Sequence, residues 1–282
     1  MKIGIHAFAW CKTWTNAQLF LIDKVASMSG QFIEIPMMEI DFVDAPAIRK
    51  KCSDAGIEAV TSTVLSAERD IASQDVATRE KGISFLKYCI EKTADMGAKS
   101  FSGVIYGEFA PTKPRKPNEE QWNIVAEALA AVNARAKELG VMLGIEPVNR
   151  YETPFINTCE QGLYLKKLIG DDNVKIHLDT YHMNIEEKDY YTAVMQAKDA
   201  LVHFHLCEND RGIPGTGLVN WDAIFKGLRD ISYDGYAGLE SFVDLTDSMN
   251  TWVWRQLASS GDVLLQEGMS FICSMQEKYN LL

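Results

Sequence analysis

Short apolar runs alternate with longer amphipathic stretches almost to the end of this chain. Eight runs read as strands: residues 2–8, 32–35, 59–64, 100–105, 141–146, 174–179, 202–205 and 236–241. They are rich in Ile, Val and Phe, which suits strands buried on both faces of a parallel sheet. The stretches between them have helical spacing. In residues 118–139, Trp122, Val125, Leu129, Val132 and Leu139 fall on one stripe, and Gly140 follows as a C-cap. Residues 75–96 end at Gly97 in the same way, residues 163–169 end at Gly170, and residues 221–231 form a short helix before the last strand. Residues 248–279, with Trp252, Trp254, Leu257, Leu264, Leu265 and Phe271, read as one long terminal helix or two.

Eight strand–helix units predict an α/β fold that closes as a (β/α)₈ TIM barrel, a single domain over residues 1–282, with C-terminal helices covering the barrel. No Gly-x-Gly-x-x-Gly follows the first strand, so a dinucleotide fold lacks its main support. The Pro-rich stretch 111–117 reads as a surface loop.

Composition narrows the partners. The 282 residues carry a formal net charge of −11, which disfavours nucleic acid and anionic membrane surfaces. No apolar run reaches membrane-spanning length. The N-terminus enters a strand directly, without a signal-peptide core, and six dispersed cysteines show no C-x-x-C pair. Both features predict a cytoplasmic protein with reduced thiols.

The chemistry lies in strands five to eight. They end on Glu146, Asp179, His205 and Glu240, at intervals of 33, 26 and 35 residues, each about one strand, one helix and two loops. In a parallel barrel those ends meet on one face, where barrel active sites lie. Singly, a carboxylate there is as readily a helix cap or salt-bridge partner. Together, three buried carboxylates are very costly without a cation. Three oxygens and one imidazole make a hard site for Mn²⁺, with Mg²⁺ and Co²⁺ as alternatives. Two of the four are glutamates, so a chelated sugar between them meets a base on each side. One removes a proton next to a carbonyl, the other returns one from the opposite side, and the metal stabilises the enediolate as a Lewis acid.

Four motifs carry a family resemblance: Gly144-Ile145-Glu146-Pro147-Val148-Asn149-Arg150-Tyr151-Glu152, Ile176-His177-Leu178-Asp179-Thr180-Tyr181-His182-Met183-Asn184-Ile185-Glu186-Glu187, His203-Phe204-His205-Leu206-Cys207-Glu208-Asn209-Asp210-Arg211 and Gly238-Leu239-Glu240-Ser241-Phe242. With them the chain resembles the ketose 3-epimerases, the D-tagatose and D-psicose 3-epimerase group of the xylose-isomerase-like barrels, over nearly its whole length, including Glu34-Ile35 at the end of strand two. The resemblance implies that Glu146, Asp179, His205 and Glu240 bind Mn²⁺ or a similar ion. Glu146 and Glu240 become the proton-transfer pair at C3 of a small free ketose. Glu152, His182 and Arg211 bind its O1/O2 end. Each of the last three has a plainer reading: Glu152 as a loop charge paired with Arg150, His182 as a helix cap, Arg211 as a pin for the following glycine loop.

The chain also departs from that pattern. His6 stands where the resemblance implies an aromatic residue, and Glu108 and Phe109 where it implies a small residue and a tryptophan. On the barrel reading His6, Glu108 and Phe109 lie near the far end of the sugar, where His6 and Glu108 bind it, with solvent exposure as the plainer reading of Glu108. Trp14, Tyr106 and Phe242 are candidates for an apolar wall or for core. The glycines at 212, 215 and 217 are a candidate phosphate cradle, weaker than a free sugar because no clear Lys or second Arg accompanies them.

The same residues also permit an aldose–ketose or hydroxypyruvate-like isomerase, acting on a sugar or sugar phosphate, and an inosose-type dehydratase. An apurinic endonuclease of this barrel class needs more histidines than the five present and a less acidic chain. A non-catalytic sugar binder has no use for a glutamate on each side of its ligand. The apolar terminal segment and the resemblance predict a homodimer or homotetramer.

Overall fold

The computed structural model describes residues 1–242 and 253–281. Eight strands close a parallel barrel in sequence order. They are β1 (Lys2–His6), β2 (Phe32–Pro36), β3 (Glu58–Leu65), β4 (Ser100–Glu108), β5 (Met142–Ile145), β6 (Val174–Asp179), β7 (Leu201–His205) and β8 (Tyr236–Leu239). β8 pairs with β1, Tyr236 opposite Lys2, which completes the ring. All eight expected strands are present. β4 runs further than its apolar run, through Tyr106 and Gly107 to Glu108, because the β3–β4 ladder shifts register between Val64 and Leu65 and pairs Leu65 with Glu108. Gly103 permits that approach: it sits at φ 121°, and a Cβ there would fall 2.1 Å from the Thr63 carbonyl oxygen.

Helices α1 (Phe20–Ser27), α2 (Ala45–Ala55), α3 (Val76–Asp95), α4 (Glu119–Leu139), α5 (Cys159–Ile169), α6 (Thr180–Glu186), α7 (Tyr190–Ala197), α8 (Trp221–Asp230) and α9 (Gly261–Lys278) surround the barrel. Gly97 and Gly140 follow α3 and α4 in the left-handed region, as expected, and the starts are capped too: Asp75 accepts from Thr78 N–H and Asn118 from Gln121 N–H. α5 starts four residues earlier than its apolar pattern suggests. Thr158 and Gln161 form a capping box there, so the first turn is set by backbone N–H satisfaction rather than by hydrophobic spacing. The terminal helix is one helix and begins at Gly261, with Ser260 accepting from Val263 N–H. Residues 253–260 are not helical, and the expectation for residues 248–252 lies outside the described residues. α9 packs at the β8 and α8 side, where Gly268 meets Leu239, and Gln276 donates to the Met1 and Leu281 carbonyls.

The protein is a single-domain (β/α)₈ barrel. One large apolar cluster fills the space between strands and helices. A separate small cluster of Phe32, Val60 and Tyr236 plugs the N-terminal floor of the barrel itself. Gly4 makes that plug possible, since a Cβ on it would lie 2.3 Å from the Phe32 carbonyl oxygen. No helix among the described residues is long and apolar enough to cross a membrane, and all six cysteines are unpaired.

Candidate active site

Glu146 and Glu240 each follow the last residue of their strand, while Asp179 and His205 are the last residues of theirs. The barrel therefore brings together the four residues that the spacing singles out. His205 Nδ1 stands 3.7 Å from Glu146 Oε1, 3.6 Å from Asp179 Oδ2 and 3.5 Å from Glu240 Oε2. All four side chains are buried. Asp179 does two jobs: Oδ1 caps α6 by accepting from Tyr181 N–H at 2.7 Å, which leaves Oδ2 for the cluster. Because a carboxylate has two oxygens, capping α6 does not take Asp179 out of the cluster.

Charge is arranged unevenly in the cluster. Arg211 Nη1 lies 2.7 Å from both Asp179 Oδ2 and Glu240 Oε2. Burial pushes the carboxyls of Asp179 and Glu240 upward. Arg211 overcomes this, with His182 beside Asp179 and His205 beside Glu240, and both are held below the ordinary range. Glu146 is pushed well above it, first by burial and then by the neighbouring Glu240 and Asp179, against the pull of His205 and Arg211. Burial opposes charge on His205, yet Glu34 and Glu240 raise its pKa well above the ordinary value.

This donor set fits a divalent ion. Two ligand atoms held about 2.1 Å from one centre stand roughly 3.0–3.5 Å apart at usual coordination angles, close to the separations around His205 Nδ1. Nδ1 has no hydrogen-bond partner although it is buried, and carboxylate oxygens with one imidazole are hard in character. Glu146, Asp179 and His205 form one cation-sized group, which does not include Glu240, and His177, His203 and His205 form another deeper in the barrel. The deeper rings pack edge to face, with centroids 4.1 and 4.4 Å apart around His177, and the Nε2 atoms of His203 and His205 face Glu34 instead.

Above the cluster opens a cavity of about 60 Å³. Glu146, Val148, Glu152, His182, Arg211, Glu240 and Phe242 line one side of it, and Phe8, Val64, Val104 and Phe109 the other. The plainer readings of Glu152, His182 and Arg211 are not what the structure shows. Arg150 pairs with Glu186 at 2.8 Å, so Glu152 turns inward and accepts from Asn149 Nδ2 at 2.8 Å. His182 sits within α6. Its Nδ1 accepts from Asn149 N–H, and Nε2 faces Glu152 at 3.8 Å and Arg211 Nη2 at 3.2 Å. The Arg211 guanidinium stacks 4.2 Å over the Tyr181 ring.

Two expected sugar-binding residues do not line the cavity. His6 is buried beneath Phe8. Its Nδ1 accepts from Phe8 N–H, and its Nε2 bonds Ser62 Oγ at 3.1 Å. Glu108 ends β4, where the register shift turns it away, and its N–H donates to Asp70 Oδ1. Of the three residues expected at that end, Phe109 alone lines the cavity. Tyr106 and Trp14 are core: the Tyr106 hydroxyl donates to the Glu146 and Ile156 carbonyls. Phe242 does reach the cavity. The glycine loop is not free to cradle an anion, because the buried Glu208 carboxylate already takes N–H groups from Asn209, Gly215 and Val219 and the Trp221 Nε1–H. The sequence motifs include Glu208 and Glu34 but assign neither a role. Glu34 was discoverable as a lone charge inside the apolar run Phe32-Ile33-Glu34-Ile35.

Residues 22–274 match the model of the xylose isomerase-like TIM barrel family, to which this chain belongs. Within that class it is a member of the ketose 3-epimerases, which are carbohydrate epimerases. It is 33% identical over 276 residues to an L-ribulose 3-epimerase of Mesorhizobium japonicum (96% of this chain, 93% of that protein). It is 34% identical over 282 residues to a ketose 3-epimerase of Arthrobacter globiformis (96% of each). The D-allulose 3-epimerase of Methylomonas sp. superposes with a TM-score of 0.93 at 32% identity, covering 98% of each chain, and its structure in complex with D-allulose gives 0.92 at 31%, covering 98% of this chain and 97% of that one.

Proposed function

We propose that this chain, one domain over residues 1–282, is a divalent-metal-dependent epimerase that inverts C3 of a small free ketose. The observation that carries the reading is the meeting of Glu146, Asp179, His205 and Glu240 under a cavity that also receives Arg211 and His182. Those four residues would hold Mn²⁺, or Mg²⁺ or Co²⁺, which when bound polarises the substrate carbonyl as a Lewis acid.

The remaining chemistry belongs to the side chains. Glu146 and Glu240 reach the cavity from strands three apart around the ring. Without the ion their pKa values shift in opposite directions, Glu146 up and Glu240 down. One glutamate takes the C3 proton, and the other returns a proton from the opposite side of the same carbon. The next turnover, or the reverse reaction, exchanges the roles. Negative charge developing on O2 meets the guanidinium of Arg211 and the imidazole of His182. Glu152, held by Asn149, orients the O1/O2 end. A free ketose is favoured over a phosphate ester because Glu208 occupies the loop amides. The unpaired cysteines support a cytoplasmic setting. Exposed Trp254, 83% accessible, supports a homodimer or homotetramer, which light scattering would read directly.

The test is NMR in D₂O of the Mg²⁺-loaded protein with four- to six-carbon ketoses, free and phosphorylated. Deuterium at C3 together with a new C3 epimer is the expected result. Deuterium at C1 with an aldose product would move the activity to an isomerase. No exchange with any sugar would end the ketose reading.

A further inference from the structure

The Glu34 carboxylate lies inside the barrel below the acidic cluster, shut off from solvent. One oxygen, Oε2, is 2.8 Å from His203 Nε2 and 2.9 Å from His205 Nε2. The other, Oε1, is 3.6 Å from His6 Nε2. No step of the proton transfer touches this anion, and burying a carboxylate costs several kcal/mol unless it is hydrogen-bonded. Its consequence falls on His205.

A neutral imidazole carries a proton on one nitrogen and a lone pair on the other. An ionised carboxylate can only accept, so His205 presents Nε2–H to Glu34. The lone pair then stands on Nδ1, the nitrogen 3.5–3.7 Å from Glu146, Asp179 and Glu240. The other tautomer would set a lone pair against the Glu34 carboxylate and aim an N–H where a cation belongs. His203 shares the same Glu34 oxygen, so it restrains the carboxylate that restrains His205. The His203 ring is itself wedged between Phe32 and His177, with centroids at 5.9 and 4.4 Å.

We propose that Glu34, steadied by His203, is a positioning residue of the metal centre: it fixes the tautomer and ring direction of His205, so that Nδ1 is the ligating atom. This rests on the reading of the four residues as a metal site. Carboxylates that orient a ligating histidine are worth about 10–100-fold in metal affinity.

The experiment compares wild type, Glu34→Gln and Glu34→Ala, titrating Mn²⁺ into folded, metal-stripped protein by calorimetry and electron paramagnetic resonance. Two-bond ¹H–¹⁵N correlations of the Mg²⁺-loaded protein report which His205 nitrogen carries the proton. Wild type should show Nε2–H. Glu34→Gln, whose amide oxygen can still accept one bond, should bind Mn²⁺ about 10-fold more weakly and show a mixed His205 tautomer. Glu34→Ala should lose closer to 100-fold. A purely structural role would lower unfolding temperatures and leave Mn²⁺ affinity at the wild-type value, which overturns the inference. So would a His205 proton on Nδ1 in loaded wild type, a result that needs no variant to fold. Wild type that binds no Mn²⁺ sinks the metal reading as well, whereas wild-type binding that both variants retain sinks the role of Glu34 alone.

Discussion

The two halves of the barrel rim are built from different chemistry. Strands β5 to β8 and their loops bring Glu146, Glu152, His182, Arg211 and Glu240 to the cavity beside Val148 and Phe242, while β1 to β4 and theirs bring only the apolar Phe8, Val64, Val104 and Phe109. His6 is capped by Phe8, and Glu34 is sealed beneath the cluster. One half of the ring thus concentrates charge where a proton must move, and the other excludes water from that charge. Excluding water strengthens electrostatic interactions inside the cavity.

The comparison is broken most severely on the charged side. Glu240→Gln should lower turnover by about 10³-fold, and Glu146→Gln similarly, as expected for losing one partner of a proton-transfer pair. The double variant should be little worse than either single one, because the two act as a unit. Initial rates of C3 epimerisation check this, and strict additivity would contradict it. Arg211→Lys keeps the charge but loses the planar fork and the stack on Tyr181. Turnover should fall by about 10²-fold. A Lys variant with wild-type turnover would show that charge alone suffices.

On the apolar side the largest effect should be on stability. Burial lowers the His6 pKa from 6.5 to about 4. The unfolded chain therefore binds a proton that the folded protein refuses, and stability should fall as pH drops from about 6.5 to 4. Protonating Nδ1 would also break the bond from Phe8 N–H. The shift corresponds to roughly 3 kcal/mol. In urea melts of metal-free protein between pH 7.5 and 4.5, His6→Gln should lose stability less steeply than wild type. Parallel slopes would remove His6 from the account. The smallest effect belongs to the cavity wall: Phe109→Ala should change KM by about 10-fold or less with turnover nearly intact, and should shift preference among ketoses of different length. A large loss of turnover instead would place Phe109 in the chemistry.

How much of this was legible depends on what each feature required. Strand order, the four convergent acids and histidine, and the caps of α3 and α4 follow from local pattern and from the rule that parallel barrel strands end on one face. Glu108 was misplaced because a register shift between Val64 and Leu65 leaves no mark in the apolar spacing. The partner of Arg150 was equally hidden. Glu152 is two residues away and Glu186 thirty-six, but the chain path over α6 brings Glu186 to it.

The sequence alone determined the alternation of strand and helix, and with it the fold, because hydrophobic periodicity and caps are short-range properties of the chain. It also determined which residue types arrive at the mouth of the barrel. Only the tertiary structure decided which carboxyls are pushed above and which below their ordinary range, which nitrogen of His205 faces them, and that Glu208 takes the N–H groups of the glycine loop. Those outcomes depend on distances between groups far apart in the chain and on burial, and neither quantity is written in any local stretch of residues.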